Sequence, residues 1–286
     1  MTLFHSMPHV MAYMIVTMAV LTGFVTRKQP LGAAATFIRQ LWTSRKHLYH
    51  FIAVLCILLI NKLELQVENH LGKQPDFTAS FYKLEGNFVY LVQSIFEHPW
   101  LTAYTSFFYV VVFSAILMAS MVIYSFQRND TLFYALCYAI MLNYMIAIPF
   151  YLFFPVKEVW AFPPIEVRFL MIDVFPTFET TYRNLSGLDN CFPSLHTSLS
   201  VTLAILATRS GSRRWKWFTI WSAITVIFSI FCLGIHWFTD MIGGLLLGWF
   251  AATFALRLAE RDVIWSLLPA SIRLKSKKSL PMQEHM

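Results

Sequence analysis

Residues 191–197, CFPSLHT, and residues 236–240, HWFTD, are two short polar stretches in a chain that is otherwise strongly apolar. Ionisable side chains at membrane depth are costly, and they usually mark functional sites. One membrane helix running up and the next running back would bring both stretches to the same face of the bilayer. The two stretches therefore predict a helical membrane fold with a catalytic site at a membrane surface.

The composition is that of a membrane protein. Of the 286 residues, 57% are hydrophobic and only 13% are charged, whereas about 25% of an ordinary soluble domain is charged. Several apolar runs reach the length of about 20 residues that a membrane-spanning helix needs. A β-barrel would show many short alternating segments instead. The formal net charge of +7 fits basic cytoplasmic loops, and we expect no nucleic-acid partner.

Hydropathy predicts an all-α integral membrane fold, a polytopic bundle of about six to seven transmembrane helices in one domain, residues 1–286. Three parts follow one another: N-terminal helices with an interfacial segment (1–130), catalytic helices (131–258) that include the polar loop 155–190, and a basic tail (259–286). The candidate spans are about 8–26, 48–67, 101–126, 131–154, 192–208, 215–235 and 237–258. Aromatic residues at helical spacing predict an interfacial helix over residues 77–96, with an eighth span as the alternative.

The distribution of positive charge predicts the orientation. Most of the 22 Lys and Arg residues lie in one set of connections and in the tail. The positive-inside rule then places the C-terminus in the cytoplasm, and it places the loop 155–190 and both polar stretches on the extracytoplasmic face. We expect the membrane to be a plasma membrane or a Golgi-type membrane. No feature of the sequence predicts an oligomeric state.

Three side chains in the two polar stretches can carry phosphoryl transfer. His236 and Asp240 are four residues apart and would share one face of a helix. A carboxylate beside a histidine fixes its tautomer and makes the other ring nitrogen a better nucleophile. His196 would then protonate the leaving alkoxide. These roles predict a phosphohistidine intermediate.

The start of the helix that carries His196 predicts an anion site. Proline suits a first helical turn, and the free N–H groups of a helix start attract phosphate. We expect the hydroxyls of Ser194 and Thr197 to bind phosphate oxygens. The phosphate also needs positive charge, for which the extracytoplasmic face offers Lys157 and Arg183, with Arg168 as a third candidate.

Three alternatives stay open on the residues alone. The two histidines and the aspartate could form a metal site, although no further ligand is evident, and we expect no metal and no cofactor. Cys191 and Cys232 could pair in a disulfide on an oxidising face. A non-enzymatic seven-helix receptor or transporter would have a similar topology, but a transporter should carry polar groups near the midplane of broken helices.

The last predicted helix carries a stripe of small residues. Gly244, Gly248 and Ala252 recur every four residues below Asp240. Such a stripe allows a neighbouring helix to approach closely. We expect ordinary bundle packing that holds Asp240 on a rigid element.

The two stretches resemble known motifs. Residues 192–196 resemble the second motif of the type 2 phosphatidic acid phosphatase superfamily, and residues 229–240 resemble its third motif, Ser-Arg-x5-His-x3-Asp. The residues of both stretches are similar to those of the inositol phosphorylceramide synthase branch, whose members transfer a headgroup. The resemblance covers about residues 130–258. It implies a metal-independent lipid phosphatase or phosphotransferase with His236 as nucleophile, Asp240 as its partner and His196 as general acid.

The chain departs from the family pattern at two arginines. Ile230 follows Ser229 where the third motif has Arg, and Pro164 stands where the first motif, Lys-x6-Arg-Pro, has Arg after Lys157. Loss of these two phosphate-binding arginines favours the transferase branch. The many hydrolases of the superfamily favour hydrolysis instead. With water as acceptor the enzyme is a phosphatase, and with an alcohol such as inositol or a sphingolipid hydroxyl it is a headgroup transferase. The expected partners are therefore a membrane lipid substrate and a possible alcohol acceptor.

Overall fold

The computed structural model describes residues 2–68, 74–181 and 187–267, and over these ranges the protein is an α-helical bundle without a β-strand. The described helices are α1 (Met7–Thr26), α2 (Pro30–Thr43), α3 (Arg45–Glu68), α4 (Thr78–Glu85), α5 (Phe88–Phe96), α6 (Pro99–Phe126), α7 (Asp130–Phe153), α8 (Met171–Val174), α9 (Phe178–Thr181), α10 (Leu195–Thr208), α11 (Arg213–Cys232) and α12 (Phe238–Leu267). Helix α6 contains one π-helical turn, Phe108–Val112.

Six of the described helices are long and apolar enough to cross a membrane: α1, α3, α6, α7, α11 and α12. The prediction of a polytopic membrane bundle is confirmed. Large apolar side chains stay exposed on its outside, among them Trp42, Leu246 and Trp249, at 86%, 64% and 61% exposure. Such a surface is suited to lipid rather than to water.

Two predicted segments differ from the structure. The span expected at 192–208 is helix α10, which begins only at Leu195 and has 14 residues, because Ser194 is its N-cap. Residues 77–96 form two short helices, α4 and α5, and Gly86 between them adopts a positive φ of 59°. The eighth span is therefore wrong, because neither short helix can cross a bilayer.

Helix α10 lies at the centre of the catalytic half and packs against α7, α11 and α12. The contact with α12 is close because glycine faces it. A Cβ on Gly244 would lie 2.6 Å from the carbonyl oxygen of Ser194, and one on Gly248 would lie 2.3 Å from that of Ser198. The Thr202 hydroxyl also donates to the Gly248 carbonyl oxygen at 3.2 Å. Two glycines of the small-residue stripe thus allow the close approach that the sequence predicted.

Candidate active site

His236 and Asp240 form a buried pair at the start of α12. The Nδ1 atom of His236 lies 3.3 Å from Oδ2 of Asp240. The same oxygen accepts a hydrogen bond from the backbone N–H of Trp237 at 2.9 Å. The exposed fractions of His236 and Asp240 are 5% and 0%. The aspartate therefore fixes both the ring of His236 and the first turn of α12, as the acidic residue of a capping box does.

The turn before α12 is shaped by Gly234. Its φ is +76°, and a Cβ there would lie 2.6 Å from the carbonyl oxygen of Arg168, so only glycine fits. The next two backbone N–H groups, of Ile235 and His236, both donate to the carbonyl oxygen of Ile230. The position where the family motif has Arg is thus filled here by a buried residue whose backbone holds the nucleophile candidate.

Gln93 on α5 ties this turn to the preceding loop. Its amide nitrogen donates to the carbonyl oxygens of Arg168 and Cys232, at 2.9 and 3.1 Å. Its amide oxygen accepts from the N–H of Arg168 at 2.8 Å. Gln93 is 3% exposed, and no motif in the sequence predicts its role. A glutamine among apolar residues of an interfacial helix was the available signal.

Helix α12 also receives a carboxylate from α4. The two oxygens of Glu85 accept the N–H groups of Phe238 and Thr239, each at 2.6 Å. A negative charge at a helix start is stabilising. Burial raises the pKa of Glu85. The hydrogen bonds from the Thr239 hydroxyl and from the two backbone N–H groups lower this pKa, but they offset only part of the rise. Glu85 thus holds the start of the helix on which Asp240 lies.

His196 lies opposite this pair on the first turn of α10. The centroids of the His196 and His236 rings are 6.5 Å apart. The His196 ring stacks on Tyr109 at 3.9 Å between centroids and packs on Phe113 at 4.7 Å. Both aromatic rings come from the part of α6 around its π-helical turn. The structure therefore brings His196, His236 and Asp240 together, as the sequence predicted.

Ser194 and Thr197 build the start of α10. The Ser194 hydroxyl oxygen accepts the N–H of Thr197 at 3.3 Å. The N–H of Ser194 donates to the carbonyl oxygen of Asp240 at 3.2 Å, which joins the two polar stretches directly. Both side chains are fully buried, and neither lines the cavity beside the histidines. The structure thus places both side chains inside the helix packing, away from the cavity wall.

Two of the three cations expected at the site, Lys157 and Arg168, form ion pairs outside the cavity. The Lys157 ammonium pairs with Asp76 at 2.9 Å, half-exposed, and Arg168 pairs with Glu97 and Asp173. Burial raises the pKa of Asp76, but hydrogen bonds from Thr78 and the charge of Lys157 outweigh this and leave the pKa below its usual value. Arg183, the other expected phosphate ligand, lies outside the described residues.

A cavity of about 280 Å³ opens beside the two histidines. Its walls mix aromatic rings with carboxylates and amides. None of the described residues that line it is Lys or Arg. The polar lining residues include His196, His236, Asn61, Glu64, Glu158 and Asn190.

Glu64 and Asn190 face each other in this cavity. The Asn190 amide nitrogen lies 3.2 and 3.4 Å from the two oxygens of Glu64, and Glu64 is 3% exposed. The sequence alone predicts no role for either residue. The signal for Glu64 was an ionisable residue inside an apolar span, which usually marks function.

Cys191 contacts His236 and forms no disulfide. All four cysteines of the chain are free, so the pairing of Cys191 with Cys232 is wrong. The Cys191 sulfur lies 3.2 Å from Nδ1 of His236 and 3.4 Å from the carbonyl oxygen of Ile235. A thiol that donates to this carbonyl leaves a sulfur lone pair facing the imidazole N–H.

The family model of the PAP2 superfamily matches residues 83–254, more than half of the chain. The protein thus belongs to the PAP2 superfamily. It is an integral membrane enzyme of the phosphatase type, built as a helical bundle. No curated protein and no solved structure matches the chain. The match begins well before residue 130 and includes Glu85 and Gln93.

Proposed function

We propose that the protein hydrolyses or transfers the phosphoryl group of a phospholipid or isoprenoid phosphate through a phosphohistidine, without a metal ion. The observation that carries the proposal is the buried His236–Asp240 pair facing His196 beside one cavity. A metal-ion cofactor is not required, because a histidine nucleophile and a second histidine supply both partners of the reaction.

The first step is attack on phosphorus. With Nδ1–H of His236 donating to Asp240, Nε2 keeps its lone pair and forms the N–P bond. The bond between phosphorus and the lipid oxygen breaks, and His196 gives its proton to that oxygen. The carboxylate of Asp240 stabilises the positive charge that develops on the His236 ring.

The second step returns the enzyme to its first state. His196, now neutral, takes the proton of an acceptor O–H, whose oxygen attacks phosphorus while the N–P bond breaks. Water as acceptor releases phosphate, and an alcohol gives a new phosphoester. The amide and carboxylate groups of Asn61, Glu64 and Asn190 support an alcohol acceptor, because they can hydrogen-bond several hydroxyl groups. This observation favours the headgroup phosphotransferase, similar to inositol phosphorylceramide synthase, as the alternative function.

Helix starts supply part of the positive potential that the phosphate needs. The first N–H groups of an α-helix have no partner within it and attract anions, and α10 begins beside His196. In this proposal Ser194 and Thr197 act by holding that helix start, and Arg183 is the candidate cationic ligand. Lys157 can reach phosphate only after leaving Asp76.

The charge distribution of the sequence supports an extracytoplasmic site with a cytoplasmic C-terminus, in a plasma membrane or a Golgi-type membrane. The partners in this proposal are a membrane lipid and, for transfer, an alcohol acceptor. A receptor or transporter function lacks support from the family match.

The test compares purified wild type, His236→Ala and a control, His9→Ala, in detergent with EDTA. His9 is an exposed histidine on α1, so its loss should leave turnover unchanged. A panel of phosphatidate, isoprenyl diphosphate, and phosphatidylinositol with ceramide is followed for free phosphate and new lipid species together. Phosphate release that needs His236 supports hydrolysis, and a new phospholipid without free phosphate supports transfer. Full activity in His236→Ala would overturn the proposal.

Labelled substrate tests the intermediate itself. Wild type is incubated with a lipid carrying radioactive phosphate, and the reaction is quenched during turnover. The protein should then carry label, and this label should be lost in acid and kept in alkali, as phosphohistidine chemistry requires. His236→Ala should never carry this label. Label that persists in His236→Ala places the intermediate on another residue.

A further inference from the structure

Three possible metal ligands lie together at the proposed nucleophile, His236, on the Nδ1 side of its ring. The Cys191 sulfur, a ring nitrogen of His236 and a carboxylate oxygen of Asp240 all lie within 4.8 Å of one another. The exposed fractions of these residues are 1%, 5% and 0%. They come from three places in the chain, the loop before α10, the turn before α12 and the first turn of α12, so packing of the bundle holds them together.

The spacing suits a tetrahedral metal ion. Zinc binds sulfur at about 2.3 Å and nitrogen or oxygen at about 2.0–2.2 Å, so neighbouring ligand atoms around it lie roughly 3.3–3.6 Å apart. Here the sulfur and Nδ1 are 3.2 Å apart, and Nδ1 and Oδ2 are 3.3 Å apart. The sulfur and Nδ1 are thus spaced like two ligands of one ion, and the Asp240 carboxylate lies next to both.

Two further observations favour a cation at this position. The Oδ1 atom of Asp240 is buried and has no hydrogen-bond partner, which is costly for a carboxylate oxygen. It can bind a cation while Oδ2 keeps the N–H of Trp237. The adjoining cavity presents Glu64 and Glu158, and its described lining contains no Lys or Arg.

We propose that Cys191, His236 and Asp240 bind a thiophilic divalent cation, Zn²⁺, which inhibits the enzyme. The inhibition, though not the binding, rests on the proposed function. The thiolate and the carboxylate neutralise the two charges of the ion, and a fourth position is left open for water. Binding releases the thiol proton of Cys191, and the ring proton of His236 moves from Nδ1 to Nε2, so the imidazole stays neutral. Nε2 then has no lone pair and cannot attack phosphorus.

Cadmium absorption tests the binding without any substrate. Full-length wild type, Cys191→Ala and the matched control Cys232→Ala are purified, stripped with EDTA, and titrated with Cd²⁺ in detergent. We expect an ultraviolet thiolate-to-cadmium band in wild type and Cys232→Ala, displaced by Zn²⁺, and no such band in Cys191→Ala. His236→Ala should weaken binding roughly tenfold or more, since loss of even an outer-shell partner has that effect. Thermal melting verifies that each variant is folded, and Cys191→Ser replaces Cys191→Ala if the latter is not.

Turnover of the substrate found in the panel then tests inhibition. Zn²⁺ should inhibit wild type and Cys232→Ala reversibly, EDTA should restore them, and the inhibitory concentration should rise at least about tenfold in Cys191→Ala. A cadmium band that survives in Cys191→Ala, or equal inhibition of all variants, overturns the site. An enzyme that EDTA inactivates and Zn²⁺ restores overturns the inhibitory role and the metal-independent function together. A cadmium band in a protein that turns over no substrate supports the site and overturns the proposed function alone.

Discussion

Replacing Gly248 by alanine should separate the two halves of the active site. A Cβ at this position would lie 2.3 Å from the carbonyl oxygen of Ser198, whereas ordinary contacts begin at 3.4 Å. Backbone cannot give way as a flexible side chain can, so α10 and α12 must part by roughly 1 Å in a close-packed bundle. Because α10 carries His196 and α12 carries Asp240, the proposed general acid moves away from the proposed nucleophile, His236.

Two effects of known size follow. Overpacking of this kind costs about 1–3 kcal/mol of stability, and a misplacement of about 1 Å in a catalytic group can cost about 10²-fold in turnover. The assay measures kcat and KM in detergent together with the midpoint of thermal unfolding. We expect kcat to fall by about 10²-fold and the midpoint to fall by several degrees.

Gly32→Ala is the matched control. Gly32 lies in α2, and a Cβ there would meet no atom within 4 Å. Alanine in an open helical position should stabilise the protein by about 0.4–1 kcal/mol and leave kcat unchanged. If Gly248→Ala keeps wild-type kcat and an unchanged midpoint, the contact of α10 with α12 does not set the geometry of the site.

Three further predictions concern single charged side chains. Asp240→Asn keeps an acceptor for the N–H of Trp237 but loses the charge that stabilises the His236 ring, so kcat should fall roughly 10²–10⁴-fold with little change in KM. Lys157→Ala removes an ion pair with Asp76 outside the cavity, so KM should change less than about threefold. Glu85 has a raised native pKa, so the native state holds its proton more tightly than the unfolded chain does. Wild type should therefore lose thermal stability relative to Glu85→Gln as pH rises from 4.5 through that native pKa.

Each of these has an outcome that would contradict it. Near-normal kcat in Asp240→Asn would remove the aspartate from the chemistry. A tenfold or larger rise of KM in Lys157→Ala, about 1.4 kcal/mol or more of lost binding, would show that Lys157 leaves Asp76 to bind phosphate. For Glu85, a difference in melting midpoint between the two proteins that stays constant over the pH range would show that its titration is not coupled to folding.

Local sequence rules predicted the parts of the site that lie close together in the chain. His236 and Asp240 are one helical turn apart, and Pro193 and Ser194 mark the start of a helix by their own conformational preferences. The meeting of the two polar stretches followed from the number of apolar helices between them. Gly244 and Gly248 were recognisable because their spacing matches the period of a helix.

The rest of the site comes from distant segments. Glu64, Tyr109 and Glu85 reach it from α3, α6 and α4, and no spacing rule states which face of those helices turns inward. The sequence did not reveal the ion pair of Lys157, because its partner, Asp76, lies in a segment about 80 residues earlier. A basic residue that is near a site in the sequence can instead form an ion pair with an acidic residue that is closer in space.

The π-helical turn Phe108–Val112 affects which side chains of α6 face His196. A π turn holds one residue more than an α turn and so changes the direction of every later side chain. In α6, Tyr109 lies inside the turn and Phe113 just after it, and both contact His196. Deleting one residue of the turn would rotate the two parts of α6 relative to each other by about 100°. The rings around His196 are therefore specified by the length of a helix as much as by its residues.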